Sequence, residues 1–378
     1  MKHSFLSTVI VALFGLFVLE VTSFAAVYVL KGRLVFYNPP KLETYERYME
    51  ERDPDLGWPS KTKAAKMQDA SGSRPNPAFP QTGSACVSLY GDSFTWSDPV
   101  DDEHAWSTVL SQKLGCRVAN YGFGAYGTDQ AYRRFELNKE DESSLVLLNH
   151  FPGDIRRNVN QLRNFLARND HFALKPRFML EDGALRFIPL PTISKEEAAQ
   201  IIKDPARVLK YEYFVPGGSA GIERARFPYF ISLLSAFQNE HIQAKMKGEA
   251  VWDAFYDKDH PSGALPLTAE IMKAFVRLAK SRGKYGLITM IPNSHDIHRF
   301  QETGSWGFQP LVDELERDAV EVYNIGPQVI AYLGGRDICE ISEPECYGHY
   351  NDEGYAEVAN IVFRYLLHNP VLKEALGL

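Results

Sequence analysis

The sequence predicts an α/β fold in three layers, with a central parallel sheet of about five strands and helices on both faces. Three observations point there. Short apolar runs rich in β-branched and aromatic residues recur at 85–90, 117–121, 145–148, 285–291 and 320–323. Stretches with apolar residues three and four apart lie between them. Alternation of the two is how parallel strands joined by crossover helices read in sequence.

Ala85–Tyr90 is the first strand, closed by Gly91. Trp106, Val109, Leu110 and Leu114 share one face of the next helix, which Gly115 ends. Arg117–Tyr121 is the second strand, Thr128–Leu137 a helix and Leu145–Leu148 the third strand. The rhythm breaks across residues 160–265, which hold proline-rich pieces and helices at Lys195–Lys203 and Tyr229–Lys247. This stretch reads as a long insertion at the rim of the site, where loops carry specificity. The rhythm resumes where Thr268 caps a helix with Ile271, Ala274, Phe275 and Leu278 on one face, ended by Gly283. Tyr285–Ile291 is the fourth strand, Pro310–Asp318 a helix and Val320–Tyr323 the fifth strand. Asn351 or Asp352 caps the last helix, with Tyr355, Val358, Val362 and Leu366 inward.

Upstream of the sheet, residues 31–84 form a connector with a polar, helix-prone piece at Lys41–Arg52 and a loop at 68–84. Before it, Phe5–Leu30 is apolar apart from Ser, Thr, Gly, Tyr28 and Glu20, long enough to span a bilayer. It reads either as an uncleaved anchor or as a signal peptide with a small-x-small site at Ser23-Phe24-Ala25. Lys2 on one side and Lys31 and Arg33 on the other leave orientation open, although both main readings export the domain. At 45% hydrophobic and 24% charged the 378-residue chain is globular, and a net charge of −7 with no basic aromatic stripe excludes a nucleic-acid role. Four cysteines in an exported chain suggest disulfides. Cys86 and Cys116 open the first two strands and can bridge if those strands are neighbours. Cys339 and Cys346 enclose a short loop and can bridge too, the alternative being four buried thiols. No Cys-x-x-Cys pair suggests zinc.

The first strand ends in Gly91-Asp92-Ser93. Ligands of an open parallel sheet bind beyond the carboxyl ends of its strands, so Ser93 faces substrate. By itself the triplet is an ordinary turn. Its context is more specific: Ala85–Trp96 resembles the first block of the SGNH (GDSL) hydrolases, Asn120-Tyr-Gly-Phe-Gly-Ala-Tyr-Gly-Thr-Asp-Gln130 the second, and Gly348-His349-Tyr-Asn351-Asp-Glu-Gly354 the last, in order over residues 85–366. The segment Asp53-Pro-Asp-Leu-Gly-Trp58 resembles one that precedes the catalytic domain in membrane-linked members.

The resemblance implies a flavodoxin-like domain over residues 85–370 and serine ester hydrolysis on acylated substrates, including O-acetylated glycans outside the cytoplasm. It implies no cofactor and no metal. Ser93 is then the nucleophile and His349 its base. The family's acid stands three residues before the histidine, where this chain has Cys346. Glu345 is the nearest preceding carboxylate, with Glu343, Asp337 and Asp352 as alternatives, or the pair acts as a dyad. The oxyanion donors are the Ser93 and Ala125 amides, Ala125 standing where the family has glycine. The family's third donor, an asparagine after the third strand, is replaced by Gly153, with Asn149 and Asn158 nearby to substitute. Asp92 is a positioning residue, Asp154 a helix cap, and Asp129 and Gln130 caps or rim contacts. Trp96 and Tyr126 are placed for sugar stacking.

Four competing readings exist. Gly217-Gly-Ser219-Ala-Gly221 fits a Gly-x-Ser-x-Gly elbow but reads better as a loop. His295-Asp-Ile-His298 lacks an evident third metal ligand. Gly153 and Cys346 allow a glycan-binding module without turnover, and an O-acyltransferase would use the same site.

Overall fold

The computed structural model describes residues 2–31, 35–218, 220–221, 224–344, 346 and 348–377. Seven strands form: β1 (Val87–Tyr90), β2 (Val118–Asn120), β3 (Leu145–His150), β4 (Arg177–Glu181), β5 (Ala184–Ile188), β6 (Tyr285–Met290) and β7 (Val322–Asn324). Five pair in parallel in the order β2-β1-β3-β6-β7, while β4 and β5 make an antiparallel hairpin. All five expected strands are present, with no end moved by more than two residues. β3 runs two residues further than expected because Asn149 and His150 pair with Thr289 and Met290 of β6.

The strand order sets the layers. From β1 the chain crosses to β2 on one side, then back past β1 to β3 on the other. With right-handed crossovers, the helices Trp106–Leu114 and Thr128–Leu137 therefore cover opposite faces. The final helix Asp352–His368 packs on the first of them, and Ala264–Ser281 on the second. The direction of travel reverses between β1 and β3, and a ligand crevice opens at that switch point.

Capping follows side-chain chemistry. Asn351 caps the last helix, its Oδ1 accepting from the Gly354 amide at 3.0 Å. Thr268 does not cap: the helix starts four residues earlier, at Ala264, and buried Thr268 Oγ1 accepts from Asn158. The expected Tyr229–Lys247 helix is two helices, Tyr229–Phe237 and Glu240–Lys247, because Asn239 caps the second by accepting from the His241 amide. Both disulfides are formed, Cys86–Cys116 and Cys339–Cys346.

The chain forms two units. The sheet belongs to one, built from Glu51–Val159, Lys175–Leu190 and Trp252–Leu378. The other joins Met1–Glu50 to Asn160–Leu174 and Pro191–Val251. It is held by its own polar and apolar contacts. Buried Glu212 accepts hydrogen bonds from the amides of Gln161, Leu162 and Phe214, and Val27, Phe36 and Ala236 form a small core.

Candidate active site

Ser93 is the first residue of a one-turn helix, Ser93–Trp96, that starts two residues after β1. Asp92 caps it, Oδ1 accepting from the Phe94 amide at 2.9 Å. The helix lies directly on the strand ends because two glycines leave room. A Cβ on Gly91 would stand 1.9 Å from Thr95 Oγ1, and one on Gly122 2.7 Å from Thr95 Cβ. Asn120 ties the turn from below, its Nδ2 donating to Thr95 O at 2.6 Å. Ser93 Oγ faces Asp92 Oδ2 at 3.5 Å, and among the described residues it makes no hydrogen bond to His349.

An arginine organises the acids beneath Ser93. Arg157 Nη1 reaches Asp92 Oδ2 at 3.1 Å, Asp154 Oδ1 at 2.5 Å and the Tyr126 carbonyl at 2.8 Å. Contrary to the expectation from sequence, Asp154 does not cap its helix; Gly153 holds the cap position and Asp154 pairs with Arg157 instead. Burial, then the neighbouring Asp92 charge, pushes the Asp154 carboxyl well above the usual carboxylate range. The Asp-x-x-Arg spacing of Asp154 and Arg157 is visible in sequence. The link to Asp92, sixty-five positions away, is not.

The second block forms a turn in which the Tyr126 amide donates to the Phe123 carbonyl at 3.2 Å. Ala125 is its third residue and has φ +66°, with no positive φ at Gly124. That is a type II turn, where glycine is the usual occupant. Alanine keeps the N–H free of partners among the described residues, but the left-handed backbone costs it about 1 kcal/mol. The connector straps this turn. Trp58 Nε1 donates to the Gly124 carbonyl at 3.0 Å and Tyr126 Oη donates to the Trp58 carbonyl at 2.9 Å. The Asp53–Trp58 segment, given no role from sequence, thus holds the turn that carries Ala125. Trp96 and Tyr126 are 3% and 1% exposed, packed with Leu56 and Phe123. They are wall, not stacking faces, and the sugar-stacking expectation is corrected. Asp129 and Gln130 are buried as well and form no rim: Asp129 pairs with Lys175, and Gln130 caps Gly127 and holds the Leu56 carbonyl.

The place of the third donor is filled by a ring. A Cβ on Gly153 would lie 2.3 Å from Phe151 Cε1. Phe151 stacks on Phe94 at 4.6 Å between centroids and meets the Trp252 ring edge-on at 5.1 Å. An asparagine at 153 would displace Phe151. Asn158 is already engaged, its Nδ2 donating to Thr268 and its Oδ1 accepting from the Asp129 amide. Asn149 has both amide atoms buried and unpartnered, as are Thr95 Oγ1 and Thr289 Oγ1. Asn149 and Thr289 stand in register and so face the same way. Of the two asparagines, only Asn149 keeps its donors unspent.

His349 lies on a loop that folds back on itself. The Glu343 amide donates to the His349 carbonyl at 2.9 Å, and the His349 amide donates to Glu343 Oε2 at 3.0 Å. The same Oε2 stands 3.5 Å from Nδ1 of the ring. Cys346 is tied to Cys339, and Ser294 Oγ holds the Cys346 carbonyl at 2.6 Å. The His349 ring packs 4.7 Å from that of Phe94, the residue after Ser93. Glu345 lies outside the described residues, as does Ser219; among the described residues the carboxylate near Nδ1 is that of Glu343. Asp98 is a further acid that sequence reading missed: burial raises its carboxyl, and the His349 charge opposes that rise. His295 stands at the Trp252 edge, and His298 pairs with Asp337 at 3.3 Å. The one cluster of metal-ligating types among the described residues, His298, Asp337 and Cys339, includes a sulfur already in a disulfide.

No family model and no curated protein matches the sequence. Among solved structures, the chain is similar to one from Desulfitobacterium hafniense assigned to the G-D-S-L family of lipolytic proteins. Identity is 14%, TM-score 0.34, with 74% of this chain and 97% of that one covered. It is also similar to a two-domain esterase active on acetylated mannans. There identity is 11%, TM-score 0.32, with 87% of this chain and 54% of that one covered.

Proposed function

We propose that the chain is a serine ester hydrolase of the SGNH type, acting on acylated substrates, O-acetylated glycans among them, through Ser93, His349 and Glu343. The supporting observation is the His349 ring resting on Phe94 while Glu343 stands at its Nδ1. That leaves Nε2 as the nitrogen to take the Ser93 proton. Apo geometry of such pairs is often loose and tightens with substrate bound, so the absent Ser93–His349 hydrogen bond does not oppose the reading.

In the reaction, Ser93 Oγ attacks the ester carbonyl as His349 takes its proton. The tetrahedral oxyanion is received by the Ser93 and Ala125 amides. His349 passes the proton to the leaving alcohol, and the acyl-serine is cleared by a water that His349 deprotonates, or by a sugar hydroxyl if the enzyme is a transferase. Glu343 holds the imidazole tautomer and balances its positive charge. Two disulfides support an oxidising compartment. The Glu20 carboxylate on the Tyr229 amide and the Phe24 ring 5.1 Å from that of Tyr229 support retention of the N-terminal helix, since cleavage after Ala25 would remove both.

The test uses the full chain in detergent. A fluorophosphonate should label Ser93, labelling should be lost in His349→Ala, and Glu343→Gln should lower kcat on an acetyl ester roughly ten- to a hundredfold. Hydrolysis surviving in Ser93→Ala would sink the assignment. Phe151 in the third-donor place favours one rival, a binding module. Acetylated-glycan binding that persists in Ser93→Ala, with no turnover by the wild type, would establish it.

A further inference from the structure

The helix Tyr229–Phe237 has the sequence Tyr-Phe-Ile-Ser-Leu-Leu-Ser-Ala-Phe and contains no charged residue. One stripe, Ser232 and Ala236, is buried, and the helix packs against the N-terminal helix Lys2–Lys31. The opposite stripe is just as apolar and open. Ile231, Leu234 and Phe237, spaced three apart, are exposed, Leu234 to 62%, and Phe227 just before the helix is exposed too. A helix apolar all round belongs in a protein core or in lipid. This one is half in neither.

Glu20 decides between them. It is the only acidic residue in the apolar run Phe5–Leu30, a 26-residue stretch of which only 6% of the most apolar window is buried. A hydrocarbon core about 30 Å thick takes about 20 helical residues. Whichever 20 of the 26 occupy it, Glu20 is among them. A carboxylate at that depth needs partners. Its partners are backbone donors: the Tyr229 amide at 2.6 Å and the Phe230 amide at 3.3 Å, the first two N–H groups of the Tyr229–Phe237 helix. These are orphan donors that hydrocarbon would leave unpaired. If Glu20 is inside the bilayer, the helix start it holds is there too.

We propose that Phe227–Phe237 is a second lipid-embedded element, a short helix sunk beside the spanning helix and anchored to it through Glu20. Its open face, Phe227, Ile231, Leu234 and Phe237, continues the lipid-facing surface of the span. The occupant of that face is the acyl region of the bilayer. The flanks carry Arg224 and Arg226 before the helix and Lys245 and Lys247 after it, which suits an anionic headgroup layer. The inference rests on the N-terminal helix being a retained span, and the test separates the two.

Full-length protein is reconstituted into vesicles of phosphatidylcholine and phosphatidylglycerol that carry nitroxide-labelled lipids. Because the native cysteines are bonded in pairs, single substitutions Phe14→Cys, Leu234→Cys, Phe237→Cys and Lys247→Cys each take one environment-sensitive fluorophore. All four positions are exposed, so folding is little disturbed. Probes at 14, 234 and 237 should lose most of their emission to the nitroxide, and the probe at 247 should not. Quenching at 14 without quenching at 234 and 237 overturns the proposal and leaves the anchor standing. No quenching at 14 overturns both. Disulfide-linked dimers of Leu234→Cys without quenching would place a second copy on this face and also overturn it. In hydrogen exchange on the vesicles, Glu20→Leu should speed exchange of the Tyr229 and Phe230 amides roughly tenfold while Glu20→Gln, which keeps an acceptor, should not. Equal rates in both variants would remove Glu20 from the argument and overturn the anchoring.

Discussion

The turn of Ser93, the proposed nucleophile, and the loop of His349, its proposed base, are built in opposite ways. The Ser93 turn is buried and held by residues far apart in the chain: Thr95 against Gly91 and Gly122, Asn120 below, and Asp92 through Arg157 to Asp154. The His349 loop is half-exposed and held mainly by near neighbours, Glu343 six residues back and a disulfide spanning seven, with distant ties from Ser294 and Phe94. A nucleophile has to sit at a fixed distance from the oxyanion donors, and dense tertiary packing gives that. A base that moves a proton between two partners needs orientation with some freedom, and a closed local loop gives that.

Removing Arg157 should break the comparison most. In Arg157→Met, Asp92 and Asp154 are left as buried carboxylates without their cation, which should cost about 3 kcal/mol, read as a lowered denaturant midpoint. Arg157→Lys should recover only part, because the lysine chain is one atom shorter and cannot carry its nitrogen to the place that Nη1 holds among three acceptors. An undiminished midpoint in Arg157→Met would mean the acids are neutral without it.

The buried side should also be acid-sensitive through His150, whose Nδ1 accepts from Thr128 and whose Nε2 meets Tyr256 Oη. Burial pushes its pKa down from 6.5 to about 3. Below the ordinary value the unfolded chain takes up a proton that the folded chain refuses. Stability from this group is therefore present above about pH 6.5 and lost as pH falls towards 3, at up to about 1.4 kcal/mol per pH unit. His150→Gln should flatten that slope in denaturant titrations; an unchanged slope assigns the acid loss elsewhere.

On the loop side, Cys339→Ser with Cys346→Ser should release about 2 kcal/mol of local constraint. Fluorophosphonate labelling of Ser93 should slow several-fold, and the global denaturant midpoint should fall by no more than that loop-closure entropy accounts for. A large midpoint shift would show that the loop supports the fold and not only the base.

The smallest effect is at Ala125. Ala125→Gly relieves the left-handed backbone and should raise stability by up to about 1 kcal/mol with kcat little changed. A loss of kcat would show that the turn's rigidity, and not only its amide, serves the oxyanion.

Glu343 and Asn158 show why some of the site was legible and some was not. Blocks around Ser93 and His349 were readable because their residues, in order along the chain, resemble the motifs of a known family; taken alone, Gly91-Asp92-Ser93 is an ordinary turn. The acid was not, because which of four nearby carboxylates meets Nδ1 depends on how the loop doubles back. Asn158 looked free in sequence and is spent on Thr268, one hundred and ten residues away. Gly153 read as a missing donor, yet what matters is the Phe151 ring that fills its place.

The sequence alone determined the layered α/β architecture, the five parallel strands, the serine at a strand end and the apolar N-terminal run, since each follows from local periodicity and composition. Tertiary structure decided which strands adjoin, that Trp96 and Tyr126 are wall, that Arg157 binds two acids beneath the serine, and that Glu20 meets the Tyr229–Phe237 helix. Those facts join residues tens to hundreds of positions apart, and no local propensity encodes such a distance.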